Sequence, residues 1–200
     1  DPSKKIIAGS VGTPLAGVEI KIHAPNNDGV GEVWARGPNV MQGYFGKPEL
    51  SAEVIDAQGW FHTGDLGRQD EEGRLYLVGR SKDVVVDADG RNAYPDELED
   101  IYRCELMREL SIVGMLRKSG KGEYLAGVVV ADCDGNVTES EKRGVEKSIR
   151  QHIRKISEDQ PYHRRLKEIA FFEGDLPRTA TRKIKRSDVK IWLAKHLQNR

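Results

Sequence analysis

The chain has 200 residues, 38% of them hydrophobic and 32% charged, and a formal net charge of zero. That length supports one or two domains with their own cores, and no run approaches the roughly 18 consecutive apolar residues of a membrane span. Only two cysteines occur, Cys104 and Cys133, with no C-x-x-C pair and no histidine at ligand spacing; this excludes a disulfide framework or a zinc module and points to free thiols in a reducing cytoplasm.

The opening residue is Asp1, with neither an initiator methionine nor a signal-peptide pattern, so the sequence reads as a piece of a longer protein. Charge is unevenly spread. Glu49 to Asp100 holds 14 acidic and 5 basic residues, whereas Arg178 to Arg200 holds 8 basic and 1 acidic. A basic tail is either a solvated helix face or a site for a phosphorylated ligand. No aromatic side chains are interleaved with it as stacking platforms, which argues against nucleic acid.

The first 80 residues read as β. Val18 to Ile22 and Gly31 to Arg36 alternate around an Asn26-Asn27-Asp28-Gly29 turn. Leu66 to Asp70 and Arg74 to Val78 form a second hairpin around Glu72-Gly73. From residue 83 the pattern becomes mixed. Asp83 to Val86 is a short apolar run, residues 90–92 form a loop, and Pro95 sits in the first turn of a helix, where its missing N–H costs nothing. That helix is expected to bury Leu98, Ile101, Tyr102 and Leu106. Strands follow over Ser111 to Leu116 and Tyr124 to Ala131. Thr138 and Glu141 make a capping box that opens the longest helix, with Val145, Ile149, His152, Ile153 and Ile156 as its stripe. Lys167 to Phe172 is the last strand, and a closing helix carries Val189, Trp192, Leu193, His196 and Leu197 on one face. The order β, α, β, β, α, β, α predicts an α+β fold, with a β subdomain over residues 1–80 and a compact α+β domain over residues 81–200.

Three places could carry chemistry. Asp65 follows Thr63-Gly64 in what reads as a tight turn, with Arg80 at the other mouth of the same hairpin. They are either a surface ion pair or a carboxylate and a planar guanidinium fork converging on a sugar or phosphate. In Leu176 to Arg186, LPRTATRKIKR, Thr179, Thr181 and Lys183 alternate on what reads as a flexible tongue. Lys183 is either one charge on a solvated basic loop or a point charge delivered to a phosphate. His62 has no partner carboxylate or nucleophile visible in the sequence and reads as structural.

Four segments then resemble one family in the right order. Gly31-Glu32, Gly37, Met41-Gln-Gly-Tyr-Phe45 and Pro48-Glu49 form the first, and Gly59-Trp-Phe-His-Thr-Gly-Asp65 the second. Gly79-Arg-Ser-Lys-Asp83, continuing to Gly90 and to Tyr94-Pro-Asp-Glu-Leu-Glu99, forms the third, and Leu176 to Arg186 the fourth. Together they cover nearly the whole chain, which resembles the C-terminal part of an adenylate-forming, AMP-dependent acyl-CoA synthetase.

The resemblance implies that Asp65 and Arg80 bind the ATP/AMP ribose, that Lys82 is a hinge between domains that alternate, and that Lys183 is catalytic and contacts the nucleotide during adenylation. It implies a CoA face at Gly90 and Arg91, with Arg117 and Lys118 added for their charge. ATP and CoA would be substrates. Mg2+ would be held mainly by a preceding N-terminal part, leaving no metal site here and the isolated chain inactive. The family usually has Gly where this chain has Arg182. The loop from Arg80 to Gly90 is one residue longer than in short-chain members, more like bacterial long-chain fatty-acid ligases. The expected enzyme therefore takes a carboxylic, fatty, acid; it is cytoplasmic, without an integral membrane segment, and in one variant peripheral to the membrane. Two alternatives accompany this reading: a ligase that loads an acyl carrier protein or stops at the fatty acyl-adenylate, and a non-catalytic binding module of the same fold.

Overall fold

The computed structural model describes residues 7–133 and 138–198; Asp1, and Arg200 at the end of the basic segment, lie outside them. The chain divides into two compact units, Asp1–Lys82 and Asp83–Arg200.

The first unit is a four-stranded antiparallel sheet in sequential order, β1 (Glu19–His23), β2 (Gly31–Arg36), β3 (Phe61–Gln69) and β4 (Leu75–Arg80). The β1–β2 turn closes where Gly29 N–H donates to the Asn26 carbonyl at 3.0 Å, with Gly29 at φ +73, a conformation that glycine adopts without a Cβ penalty. One short helix, α1 (Pro48–Val54), stands in the connection from β2 to β3. It corrects the all-β expectation for this region. Pro48 is at its first turn, as a helix start tolerates, but the helix buries none of its residues, so no apolar stripe announces it.

A second correction concerns β3. It is not a turn followed by a strand from Leu66; it runs unbroken from Phe61. Gly64 does bend it, at φ +70. Pairing with β2 carries it through: Ala35 stands opposite Phe61 and Trp34 opposite His62, the register slips between Glu32 and Trp34, and Glu32 pairs with Leu66. At the slip the Gly64 N–H donates to Glu32 Oε1 at 3.0 Å, so a side chain replaces the missing ladder bond.

The second unit is a three-stranded sheet, β7 (Met107–Leu116), β8 (Glu123–Ala131) and β9 (Leu166–Phe171), with a two-stranded ribbon, β5 (Val85–Val86) and β6 (Asn92–Ala93), before it. Helix α2 (Pro95–Tyr102) follows the ribbon, α3 (Glu139–Asp159) links β8 to β9, and α4 (Arg186–Gln198) closes the unit. Strands β7 and β8 are antiparallel, β8 and β9 parallel; a parallel pair needs a long crossover, which α3 supplies. The Thr138–Glu141 capping box at its start is formed in both directions.

Both faces of this sheet are covered, which is why β7 and β8 read as near-continuous apolar runs rather than alternating ones. On one face Leu110, Ile112, Leu125 and Val129 pack with Leu98 and Tyr102 of α2 and Ile149 and Ile153 of α3. On the other, Val113, Met115, Ala126 and Val128 pack with Val189 and Leu193 of α4. Leu106 was expected on the α2 stripe, but the helix stops at Tyr102 and Leu106 is exposed. No helix among the described residues is long and apolar enough to cross a membrane.

Candidate active-site elements

In the first unit the register sets Asp65 directly opposite Arg80. Arg80 Nε and Asp65 Oδ1 form an ion pair at 2.7 Å, with the two side chains 46% and 33% exposed. Asp65 is thus a mid-strand residue, not the turn residue expected. Its backbone N–H donates to Thr63 Oγ1 at 3.0 Å, and that hydroxyl donates to the Val33 carbonyl at 2.7 Å. The guanidinium also donates to the Thr63 carbonyl at 3.4 Å. The pair is oriented from both sides yet open to solvent. Asp65 Oδ2 is left without a hydrogen-bond partner among the described residues. A carboxylate with one oxygen held by a fixed cation and one oxygen free can accept a hydroxyl hydrogen bond, and the Arg fork retains further donors for a second oxygen.

His62 lies on the same strand and is built into packing. Its ring stacks on Trp34 at 3.8 Å, and Trp34 stacks in turn on His23 at 3.9 Å. Nearby, Asp56 accepts backbone N–H bonds from Trp60 and Gln58, and these hold its carboxyl below the usual range although burial acts the other way. Lys82 is exposed, within a short 3-10 turn, Ser81–Asp83.

In the second unit the tongue 176–186 is not the free loop expected. It closes as a small hairpin: Arg178 bridges Ile184, the Thr179 N–H donates to the Lys183 carbonyl at 2.8 Å, and the Arg182 N–H donates to the Thr179 carbonyl at 2.9 Å. The turn demands a left-handed residue, and Arg182 supplies it at φ +64. A glycine would meet that demand without strain. Lys183 is exposed near the tip, and its ammonium has no ion-pair partner among the described residues.

Both roots of the tongue are tied to the body by side chains that the sequence reading did not single out. At the first, Glu109 of β7 accepts from the Leu176 N–H at 3.0 Å and from Arg178. At the second, Arg186 sits among three carboxylates, Asp96 at 2.7 Å, Glu99 at 2.8 Å and Asp83 at 3.2 Å. Burial works to lower the Arg186 pKa, but Glu99 and Asp96 outweigh it and hold the guanidinium charged. Burial raises the Glu99 carboxyl above its ordinary value, against the pull of Arg186 and of the Ile112 N–H, which donates to it at 2.8 Å. The one local signal for the first root is an acid, Glu109, in a strand that runs on into the apolar stretch Ile112–Leu116; nothing local announces the second.

The other residues chosen from sequence fall on two loops that touch. Gly90, at φ +79, ends a turn in which its N–H donates to the Asp87 carbonyl at 3.1 Å, and the Arg91 N–H donates to Asp87 Oδ1 at 2.9 Å. Arg117 and Lys118 begin the β7–β8 turn, where the Gly120 N–H donates to the Arg117 carbonyl at 2.9 Å. At Gly122 of that turn a Cβ would stand 2.5 Å from Ala88 N and 2.6 Å from Asp87 C. The two loops therefore meet backbone to backbone. Among the described residues, no group of three or more His, Cys, Asp or Glu is placed to hold a metal ion.

No protein-family model matches the chain. Curated relatives do. The long-chain-fatty-acid–CoA ligase ACSBG2 of Gallus gallus is 36% identical over 137 residues, 68% of this chain and 17% of the relative. The 2-succinylbenzoate–CoA ligase of Bacillus mycoides is 34% identical over 190 residues, 91% of this chain and 36% of the relative. Among solved structures, o-succinylbenzoate CoA synthetase (MenE) of Bacillus subtilis, in complex with its acyl-adenylate intermediate, superposes with a TM-score of 0.71 at 29% identity. That match covers 91% of this chain and 35% of the other. The chain thus spans about a third or less of the length of the proteins it matches.

Proposed function

The chain belongs to the AMP-dependent, adenylate-forming acyl-CoA ligases, and on that premise we propose that it supplies the ribose-holding hairpin and the lysine tongue of a longer enzyme that joins a carboxylic acid to coenzyme A. In this reading residues 1–80 close the larger ATP- and acid-binding domain, residues 81–200 are the mobile C-terminal domain, and Lys82 is the pivot. The observation that carries it is the Asp65–Arg80 pair, set opposite one another by sheet register at 2.7 Å with Oδ2 free.

The chemistry has two halves. A carboxylate oxygen attacks the α-phosphorus of ATP, forming the acyl-adenylate and releasing pyrophosphate. The thiol of CoA, losing its proton, then attacks the acyl carbonyl, forming the thioester and releasing AMP. Adenylation turns a poor leaving group into a good one. Asp65 and Arg80 hold the ribose hydroxyls through both halves. Lys183 offers a compact positive charge to the carboxylate and the α-phosphate in the first half. Gly90, Arg91, Arg117 and Lys118 receive CoA in the second, a role supported by the contact between their loops. Mg2+ belongs with the triphosphate, on residues of the rest of the enzyme. For the acid we favour a fatty acid, supported by the likeness to a long-chain-fatty-acid ligase.

The test is to separate the half-reactions in the full-length protein. Lys183→Ala is expected to slow fatty-acid-dependent ATP–pyrophosphate exchange by about 10²–10³, the scale for losing a preorganised charge. Thioester formation from supplied acyl-adenylate should largely survive. The 200-residue chain alone should show no exchange. Equal loss of both halves, or exchange by the chain alone, overturns the proposal.

A further inference from the structure

Lys183 can act only if its side chain leaves the tongue in one direction, and the peptide bond before it sets that direction. The peptide is planar, so fixing its C=O and its N–H fixes the plane. Both are held here. The Lys183 N–H donates to Thr179 Oγ1 at 3.2 Å. The Arg182 carbonyl accepts from Arg178 Nη1 at 2.6 Å. The other arm of the same guanidinium, Nη2, donates to Glu109 Oε1. Glu109 is itself anchored: its side chain is only 10% exposed, it stands on the sheet of the second unit, and its second oxygen accepts from the N–H of Leu176, a residue 2% exposed.

We propose that Arg178 is the positioning residue of Lys183, a fork that ties the Arg182–Lys183 peptide to the sheet through Glu109. The inference rests on the reading of Lys183 given above. Its physical content is the prevention of a peptide flip. Arg182 is a non-glycine residue at φ +64, a conformation unfavourable for an L-residue that persists only when its surroundings impose it. Arg178 is the imposing group: its planar fork holds a carboxylate on one arm and a carbonyl on the other in fixed geometry, whereas a lysine at 178 would offer rotatable donors without that fixed spacing.

The experiment uses the full-length protein and three variants, Arg178→Met, Arg178→Lys and Lys183→Ala. Misplacing a catalytic group by about 1 Å costs on the order of 10²-fold, so Arg178→Met is expected to lower the kcat of adenylation by roughly 10- to 100-fold. The KM values for ATP and acid should change little, and thioester formation from supplied acyl-adenylate should stay at the parent rate. Arg178→Lys should fall between the two. Amide hydrogen exchange at Thr179 and Lys183 should quicken at least tenfold in Arg178→Met, while amides of β7 and β8 keep their protection. Unchanged adenylation in Arg178→Met, alongside a collapse in Lys183→Ala, overturns the inference and leaves the reading of Lys183 standing. Equal loss of both half-reactions with lost protection in β7 and β8 also overturns it, since Arg178 would then be a folding residue. A silent Lys183→Ala overturns the reading beneath it.

Discussion

The β3–β4 hairpin and the tongue both present charge from a reversal of the chain, and they hold it by opposite means. In the hairpin, backbone pairing does the work. An antiparallel ladder, bulged between Leu66 and Gly67, sets Asp65 against Arg80, and both side chains remain substantially exposed. In the tongue the backbone does little: a single isolated bridge and a few turn bonds close it. Its orientation comes from Glu109, 69 residues before Arg178, and from Asp83, Asp96 and Glu99, 87 to 103 residues before Arg186. A ladder yields a rigid, solvent-open pair at little electrostatic cost. Side-chain anchors let a segment of poor regular structure stay fixed, but they commit charges to partly buried places.

The largest effect that would sharpen this contrast is expected at Arg186. The Arg186→Met variant keeps an apolar stem of similar length but leaves Glu99, whose side chain is 13% exposed, without its cation. Breaking one member of a buried ionic cluster strands the rest, at a cost of about 3–5 kcal/mol. Urea denaturation of the chain, read by hydrogen exchange of β7 and β8 amides, measures it. A loss under about 1 kcal/mol would mean that this root is held by backbone after all, and the two regions would then differ only in degree.

A smaller effect of opposite sign is expected at Arg182. Replacing a left-handed arginine by glycine removes the Cβ clash and adds unfolded-state freedom, so Arg182→Gly should stabilise the chain by about 1 kcal/mol or less. A thermal midpoint that rises by a few degrees supports a tongue held in a strained turn by its anchors. A fall would mean that the arginine side chain contributes more than its backbone costs.

These contrasts also explain what could be read from the sequence. The strands of the second unit were legible because burial on both faces leaves long apolar runs, and α3 was legible because its capping box and its Val145–Ile149–Ile153–Ile156 stripe agree. Asp65 and Arg80 were legible as the ends of one hairpin because Glu72-Gly73 between them marks the turn. The unbroken course of β3 was not, because Thr63-Gly64 reads locally as a turn and only pairing with β2, with Glu32 filling the slip, overrides it. Helix α1 has no buried face to print a period. The closed tongue was hidden for a different reason. Its partners lie far away in sequence, and an alternation of threonines and basic residues looks the same whether or not an acid waits on a neighbouring strand.

The smallest effect on folding is expected at Arg80, and it tests the other half of the comparison. If backbone register holds the hairpin, the Asp65–Arg80 contact is a consequence of the fold and not a support for it. Exposed ion pairs contribute about 0–1 kcal/mol because water screens them and ordering two side chains costs entropy. Arg80→Met should therefore shift the denaturation midpoint of the chain hardly at all, and β3 and β4 amides should keep their protection. The same variant in the full-length protein should raise the KM for ATP if the pair holds the ribose as proposed, since Asp65 loses its paired cation and the proposed site loses a donor. An outcome with the weights reversed, a destabilised sheet and an unchanged KM, would make the pair a structural clasp. The nucleotide would then have to be sought at another place on the first unit.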